Sequence, residues 1–521
     1  MEAAEVVNYG ILSLIPPVLA IGLAIWTKNI IVSLFTSVFV SVTIVTGWNP
    51  ILAFPSMIKD YMFVSLEDSM NTQALFMMVI IGGFVALLTK SGGAMAFTNY
   101  VTKFVNSRAK CETGMWLGGL FVWFTDNGNS LIVGPIFEAL GERLRVSREK
   151  FAYILDCTTT PICAMVPIIG WGVYAMSLIE TELTDAGITN VTSWDVFTRG
   201  IPMNFYALLT LFMAGFMAVT QWDYGPMLKA QNRAMEKGET IRPGGTPMRN
   251  EDKKIALPDG VTPKIYTVVV PLLVLLTVMF SYLTAKGLWW TKVAGSDIRT
   301  GIASGFLCAT LVLIVICLKE KIFTFTGCLD VITGGMRNMM FMCVVLVLAW
   351  SLSGVTKTIG TAAYLTQISE GFLNPDLLPC LVFIIGAVMS LATGTSWGTM
   401  AILMPIALPM AIAFDQTSLP LVATAIISGS IYGDHCSPIS DTTILASIGS
   451  ACDHIDHFET QMPYATTVAA ICAVMYLLAG IFTPLVMLPV AVIVLVAAIF
   501  VLHKIYKGKY GQAVDITKKA A

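Results

Sequence analysis

The sequence predicts an all-α polytopic membrane protein. It should have about 11 transmembrane helices plus two re-entrant hairpins, arranged in two inverted-topology repeats with broken helices. Three observations carry that expectation. The first is composition: of 521 residues, 56% are hydrophobic and 12% charged, against about 25% charged in soluble domains. Apolar runs of about 20 residues recur along the chain, each long enough to span a bilayer. They are too long and too evenly apolar for barrel strands. The second is the placement of Lys and Arg around two apolar stretches. The third is a set of polar breaks at matched positions in the two halves.

The elements follow in order. Residues 1–70 read as N-terminal scaffold helices with spans at 9–26 and 29–47. The acidic start "MEAAEVV" lacks a basic leader, so the first span is expected to be retained rather than cleaved. Repeat 1, residues 71–222, has spans at 73–90, 150–178 and 203–222, with an apolar stretch at 114–141. A polar linker, 223–263, carries Lys229, Arg233, Lys237, Arg242, Arg249, Lys253 and Lys254 and should be cytoplasmic. Repeat 2, residues 264–482, has spans at 264–284, 300–318, 338–354, 419–448 and 464–482, with a second stretch at 379–414. Residues 483–521 give a last helix, 484–503, and a basic tail. A second basic cluster runs from Lys103 to Lys150. The run "ERLRVSREK" (142–150) within it reads as a cytoplasmic anchor, and the acidic segment 180–195 belongs outside. These assignments put the N-terminus outside and the C-terminus in the cytoplasm. The acidic loop 449–463 runs against its inside placement.

Both flanks of 114–141 belong to one basic cluster, so a single crossing would strand half of it outside. A hairpin of roughly ten residues in and ten back reaches about 15 Å, half the hydrocarbon thickness. Its tip is "TDNGNS" (125–130). The stretch 379–414 has the same shape around "TGTSWGT" (393–399) and opens to the other side. The halves also share sequence. "KSGGAMAF" from Lys90 resembles "KTIGTAAY" from Lys357, and "VGPI" (133–136) lies over "LMPI" (403–406). "DCTTTPICA" (156–164) lies over "GDHCSPISD" (433–441). The offset grows only from 267 (Lys90 to Lys357) to 277 (Pro161 to Pro438). Inverted repeats with interrupted helices at mid-membrane are a signature of secondary transporters.

Four polar breaks therefore stand out as the expected ion or substrate site. They contribute Asp126, Asn127, Asn129 and Ser130; Asp156, Thr158, Thr159 and Thr160; Thr393, Gly394, Thr395, Ser396, Trp397 and Thr399; and Asp434, His435, Ser437, Asp441 and Thr442. Their hydroxyls, carboxylates, amides and freed carbonyls are hard oxygen ligands suited to Na⁺. An ionised Asp at a helix centre costs about 2.5–3.5 kcal/mol on insertion scales. Asp156, Asp434 and Asp441 should accordingly carry a proton, bind a cation, or cap a half-helix. Trp397 either gates the pocket or fills space. His435 either titrates or donates a fixed hydrogen bond at the break. "CDHIDHFE" (452–459) sets His454 and His457 three apart, but as an ordinary surface segment it implies no transition metal. Lys90 and Lys357 should snorkel to the interface. The eleven dispersed cysteines, without a CxxC, are core residues rather than a disulfide framework. A net charge of −2 offers no nucleic-acid face, and no GxxxxGK[ST] stretch occurs. Transport would run on ion gradients, with no cofactor.

"RVSREKFAYILDCTTTP", "GTSWGTMAILMPIA" and "YGDHCSPISDTTILAS" resemble the signatures of NhaC-type Na⁺/H⁺ antiporters, across roughly 90–180 and 335–480. The resemblance implies the ion transporter superfamily, a scaffold part, a homodimer, and elevator-like movement of the hairpin-bearing part. The leading expectation is Na⁺/H⁺ exchange in a bacterial inner membrane. Na⁺ would be held by Asp126, Asn129, Thr159, Ser396 and Ser437, and protons would compete for it. The alternative is a Na⁺-coupled carrier of a small organic acid or amino acid, such as malate/lactate exchange. A channel fits the polar breaks less well. No nucleophile–base pair supports an enzyme.

Overall fold

The computed structural model describes residues 9–513 except 28, 249–260, 289–292, 362, 365–366 and 368–373. Every regular element among them is helical. By length and composition, ten helical stretches of the described residues could cross a membrane. They become eleven if the bent pair Ile30–Val45 and Pro50–Glu67 is one span.

Helices α1 (Ile15–Thr27) and α2 (Ile30–Val45) pack on each other. The chain then bends by 115° into α3 (Pro50–Ser56), a π-helical turn (Met57–Phe63) and α4 (Val64–Glu67). Asp68 caps α5 (Ser69–Lys90), accepting from the Met70 and Asn71 amides, and α6 (Gly93–Thr102) follows. Next come α7 (Arg108–Phe121) and α8 (Asp126–Arg143), joined at a tip. Beyond them α9 (Arg148–Cys157), α10 (Thr160–Cys163) and α11 (Gly170–Asp185) form one interrupted helix. The first half closes with α12 (Ser193–Gly200), α13 (Phe205–Thr220) and α14 (Gly225–Lys237).

The second half starts with α15 (Tyr266–Ala285), α16 (Gly295–Lys319), α17 (Phe325–Asn338) and α18 (Met340–Thr358). A second tip joins α19 (Leu378–Thr393) to α20 (Ser396–Phe414). A second interrupted helix is α21 (Leu419–His435) and α22 (Asp441–Ser450). The long helices α23 (His454–Ile481) and α24 (Pro484–Tyr510) complete the chain.

Small residues set the closest contacts, as in lipid, where packing rather than hydrophobicity brings helices together. A Cβ on Gly433 of α21 would stand 2.4 Å from the Leu391 amide of α19, so the second helical pair lies backbone to backbone against its interrupted helix. Gly134 does the same for α8 against α22, where a Cβ would meet the Gly449 carbonyl at 2.1 Å. The two halves thus interlock across the broken helices. Exposed Leu273, Leu311, Ile493 and Val501 present an aliphatic outer surface.

Several expectations change. The arms at 114–141 are 14 and 18 residues, not about ten. The base of α7 extends because Arg108 pairs with buried Glu112 at 3.4 Å. In the second pair, Pro375–Thr393 and Ser396–Phe414 are each long enough to span, since only Gly394, at φ +69°, interrupts an apolar sequence. The break in 150–178 is double, with Pro161 starting α10 and Pro167 following it. The linker 223–263 is not all linker. Met227, Leu228, Ala234 and Met235 of α14 are buried against α9, α23 and α24. The segment 449–463 is mostly the start of α23, whose Ile455 and Asp456 amides are capped by Asp453. Only part of the "ERLRVSREK" run is exposed, Glu142 and Arg143 among it. Arg148 and Lys150 are buried, paired with Glu138 and Glu142, and with Asp223.

Candidate functional site

The two tips are built alike. Thr125 and Thr395 are N-caps at φ −147°, ψ 126° and φ −146°, ψ 124°, each accepting from the amide of a glycine three residues on, Gly128 and Gly398. The shared pattern, "TDNG" over "TSWG" at an offset of 270 (125 to 395), was present in the sequence but masked by the unlike middle residues. Each cap aims a helix N-terminus, and so a partial positive charge, at one shared cavity.

That cavity measures ≈ 630 Å³. Thr125 and Asp126 line it from the first tip, Thr393 to Trp397 from the second, and Asp434, Asp441 and Thr442 from the second broken helix. Trp171 packs on Trp397 at 4.6 Å between centroids with the rings tilted by 48°, and Tyr174 meets Trp397 edge-on at 4.7 Å. The Trp171 indole donates to Asp126 Oδ2 at 2.9 Å, and the Tyr174 hydroxyl donates to the Trp397 carbonyl at 2.9 Å. The aromatic wall therefore holds both tips. Lys90, Asn338 and Ile30 are also part of the lining, and Lys90 is its only lysine among the described residues. Trp171, Tyr174 and Asn338 were not singled out in the sequence; they lie on apolar helices with no polar break to mark them.

Asp434 is the buried acid of this wall, 2% exposed. The Ser396 hydroxyl is within reach of its Oδ2 (3.0 Å) and of the Ser430 carbonyl (3.1 Å), and Thr442 approaches the same Oδ2 at 3.5 Å. Oδ1 accepts no hydrogen bond. Ser440 stands close by, but its hydroxyl engages Thr442 Oγ1 (3.0 Å) and accepts from the Thr443 amide. No Lys, Arg or His among the described residues pairs with the Asp434 carboxylate. A carboxylate so placed needs a proton or a cation. Asp441 opens α22 on the same wall and is exposed to the cavity.

The remaining expected site residues stand behind this wall. Asn129 donates to the Gly119 (2.8 Å) and Thr158 (2.9 Å) carbonyls, fastening the first tip to the first broken helix, while its Oδ1 is buried without a partner. Ser130 meets Thr159 at 3.2 Å, and Thr159 donates to the Leu155 carbonyl at 2.7 Å. Thr158 and Thr399 bond back to their own helices, and Thr160 Oγ1 is buried without a partner. Ser437 accepts from the Ile439 amide at the break. The Asn127 side chain lies outside the described residues.

Asp156 faces away from the cavity, fully buried. Its Oδ2 accepts from Gln461 (2.7 Å) and Thr443 (3.2 Å), and His457 and His435 lie 3.9 and 4.0 Å from the carboxylate. His435 reaches the Asp156 carbonyl through Nε2 (3.3 Å) and the Tyr206 hydroxyl through Nδ1 (3.3 Å). With a carbonyl at one nitrogen and a hydroxyl at the other, a neutral ring satisfies both. Among the described residues, no three His, Cys, Asp or Glu converge on a metal position.

A family model described as the Na⁺/H⁺ antiporter family matches residues 162–481. An uncharacterized protein of Haemophilus influenzae is 31% identical over 487 residues, 90% of each chain. A malate-2H⁺/Na⁺-lactate antiporter of Bacillus subtilis is 33% identical over 153 residues, 29% of this chain and 32% of that one. The arginine/ornithine antiporter ArcD of Halobacterium salinarum is 33% identical over 126 residues, 23% of this chain and 25% of that one. In fold the chain resembles the Alcanivorax borkumensis YdaH transporter, with a TM-score of 0.57 at 11% identity, covering 81% of this chain and 89% of that one.

Proposed function

The chain belongs to the Na⁺/H⁺ antiporter family, and from that premise we propose that it exchanges Na⁺ for H⁺ at the Asp434 carboxylate. It is an integral membrane protein of about ten spans, a transporter and not an enzyme. The observation that carries the reading is the Asp434 carboxylate itself: buried, on the cavity wall, with one oxygen unpaired and no cationic side chain to neutralise it. Na⁺ and H⁺ are then alternative occupants. Ser396, Thr442 and the nearby Asp441 supply further hard oxygens. Asp126 belongs to the same cavity from the opposite tip, whereas Asn129, Thr159 and Ser437 hold the tips and breaks in shape. In proteoliposomes a Na⁺ gradient should drive proton flux, and D434N should abolish it while leaving the protein folded.

We propose that the α7–α8 and α19–α20 pairs enter the bilayer from opposite faces, each beside a broken helix, as two inverted repeats. The matched Thr-x-x-Gly tips support this. The C-terminus would then be cytoplasmic and the N-terminus outside. Elevator movement in a homodimer belongs to the same proposal.

Cavity size favours a second reading, in which a small organic acid or amino acid travels with the ion. A volume of ≈ 630 Å³ lies in the range of small-molecule sites, about 300–1,000 Å³, far above what a bare cation needs. The Trp171–Trp397 wall offers an apolar face and Lys90 a positive charge for a carboxylate. The names of the malate/lactate and arginine/ornithine relatives are consistent with it. Thermal-shift screening of malate, lactate and amino acids with and without Na⁺ tests it. Na⁺-dependent stabilisation by one solute supports the second reading, and none across the panel rejects it.

A further inference from the structure

Behind the cavity, three polar side chains connect the buried Asp156 to the face that carries the 223–263 linker. His454 Nε2 lies 2.7 Å from the Pro438 carbonyl, which can only accept, so this nitrogen carries a hydrogen. His457 Nε2 lies 3.1 Å from Gln461 Oε1. The orientation of the Gln461 amide is fixed, because its nitrogen donates to Asp156 Oδ2 (2.7 Å) and to the His435 carbonyl (2.8 Å). His457 Nε2 must therefore donate too. In the neutral rings both Nδ1 atoms are bare acceptors, and both face one hydroxyl: Ser447 Oγ, at 3.1 Å from His454 and 2.9 Å from His457. That hydroxyl has a single hydrogen, and the Thr443 carbonyl at 2.9 Å competes for it. The cluster is at least one hydrogen short.

One added proton corrects the deficit. With His454 protonated, its Nδ1–H donates to Ser447 Oγ, and the Ser447 hydroxyl donates to His457 Nδ1. Moving each hydrogen one place along the chain leaves His454 neutral and His457 protonated, 3.9 Å from Asp156 Oδ2. We propose that His454, Ser447 and His457 relay a proton from the linker face to the His457 imidazole, beside the buried Asp156 carboxylate, by a route separate from the cation cavity. The entry is open, since His454 is only partly buried whereas Ser447 and His457 are fully buried.

The surroundings fit this traffic. His457 faces Asp156 from α9, His435 from α21 and Ser447 from α22. Around the first turn of α23 lie Asp453, Asp456 and Arg242, the last paired with Asp456 at 2.7 Å. At the inner end, the Thr443 hydroxyl reaches both Asp156 Oδ2 (3.2 Å) and the Asp434 carbonyl (3.4 Å). An imidazolium at His457, 3.9 Å from Asp156 Oδ2, places a positive charge behind Asp434 and weakens cation binding there. The inference rests on the proton coupling proposed above and adds the path the proton takes.

Two assays on the full chain in proteoliposomes separate the two claims: Na⁺-driven proton flux, and isotopic Na⁺/Na⁺ exchange, which needs no net proton movement. S447A should lower proton flux by about tenfold or more and keep Na⁺/Na⁺ exchange near the parent rate. S447T, which keeps the hydroxyl, should restore the flux. H454Q, at the partly exposed end, should flatten the pH profile of the flux. Parent-level proton flux and pH profile in both S447A and H454Q overturn the relay, as does equal loss of both exchange modes in both variants. A parent protein that exchanges Na⁺ but moves no protons removes the premise itself, a result visible before any variant is made.

Discussion

At the scale of single residues, the decisive feature is how charge is held away from water. Arg108, Glu112, Lys150 and Asp223 are all buried, with Lys150 against Asp223 and 4.0 Å from Glu112. The Tyr464 hydroxyl donates to Asp223 at 2.9 Å. Removing one member leaves an uncompensated buried charge, which costs about 3–5 kcal/mol. K150M should lower the unfolding midpoint in detergent accordingly, and the double variant K150M/D223L should recover much of the loss, as an apolar pair can replace a buried ion pair. Equal midpoints for the single and double variants would refute the coupling. The sequence marks these residues as charged but not as paired, because their partners lie up to 115 positions away (Arg108 to Asp223). It marks Asp156 and Asp434 as one class for the same reason. Only the packing shows one facing a cavity and the other a cluster of imidazoles.

At the scale of elements, the tips matter most. Thr125 and Thr395 each satisfy an orphan amide at the start of a helix whose first turn lines the cavity. Replacing such a cap by alanine costs about 1 kcal/mol. T125A and T395A should each lower stability by about that much and weaken Na⁺ binding more than T125S or T395S, read by Na⁺-dependent thermal shift. Indistinguishable Ala and Ser variants would contradict the capping role. The helices themselves were readable from apolar runs. The breaks were readable from polar residues and proline in those runs, since proline removes a donor and clashes one turn back. Two features were not readable. The docked helix α14 hides in a basic segment because its buried face mixes Met, Leu and Ala with the polar Gln231 and Asn232. The start of α23 hides in "DHIDHFE" because its polar side chains bond inward, to Ser447, Gln461 and Arg242, rather than to water.

At the scale of the whole molecule, two helical pairs and two broken helices enclose one cavity, and a separate polar cluster lies behind it. In the proposed scheme Na⁺ and H⁺ compete at Asp434 from the cavity, and a proton relayed through His454 and Ser447 to His457 weakens cation binding at Asp434 from behind. Among the described residues, Lys229, Lys237 and Arg242 of the linker and Lys504, Lys507 and Lys509 of the tail are exposed, as positive-inside reasoning expects of cytoplasmic charge. That reasoning loses weight for Arg148 and Lys150, whose charges are neutralised inside the fold. The central claim is that Asp434 is where the two ions compete, and proton flux driven by a Na⁺ gradient in proteoliposomes tests it most directly. Competition at Asp434 should give Na⁺-dependent flux in the parent protein that falls as the opposing proton concentration rises, and none in D434N. Undiminished flux in D434N, with correctly folded protein, would contradict it.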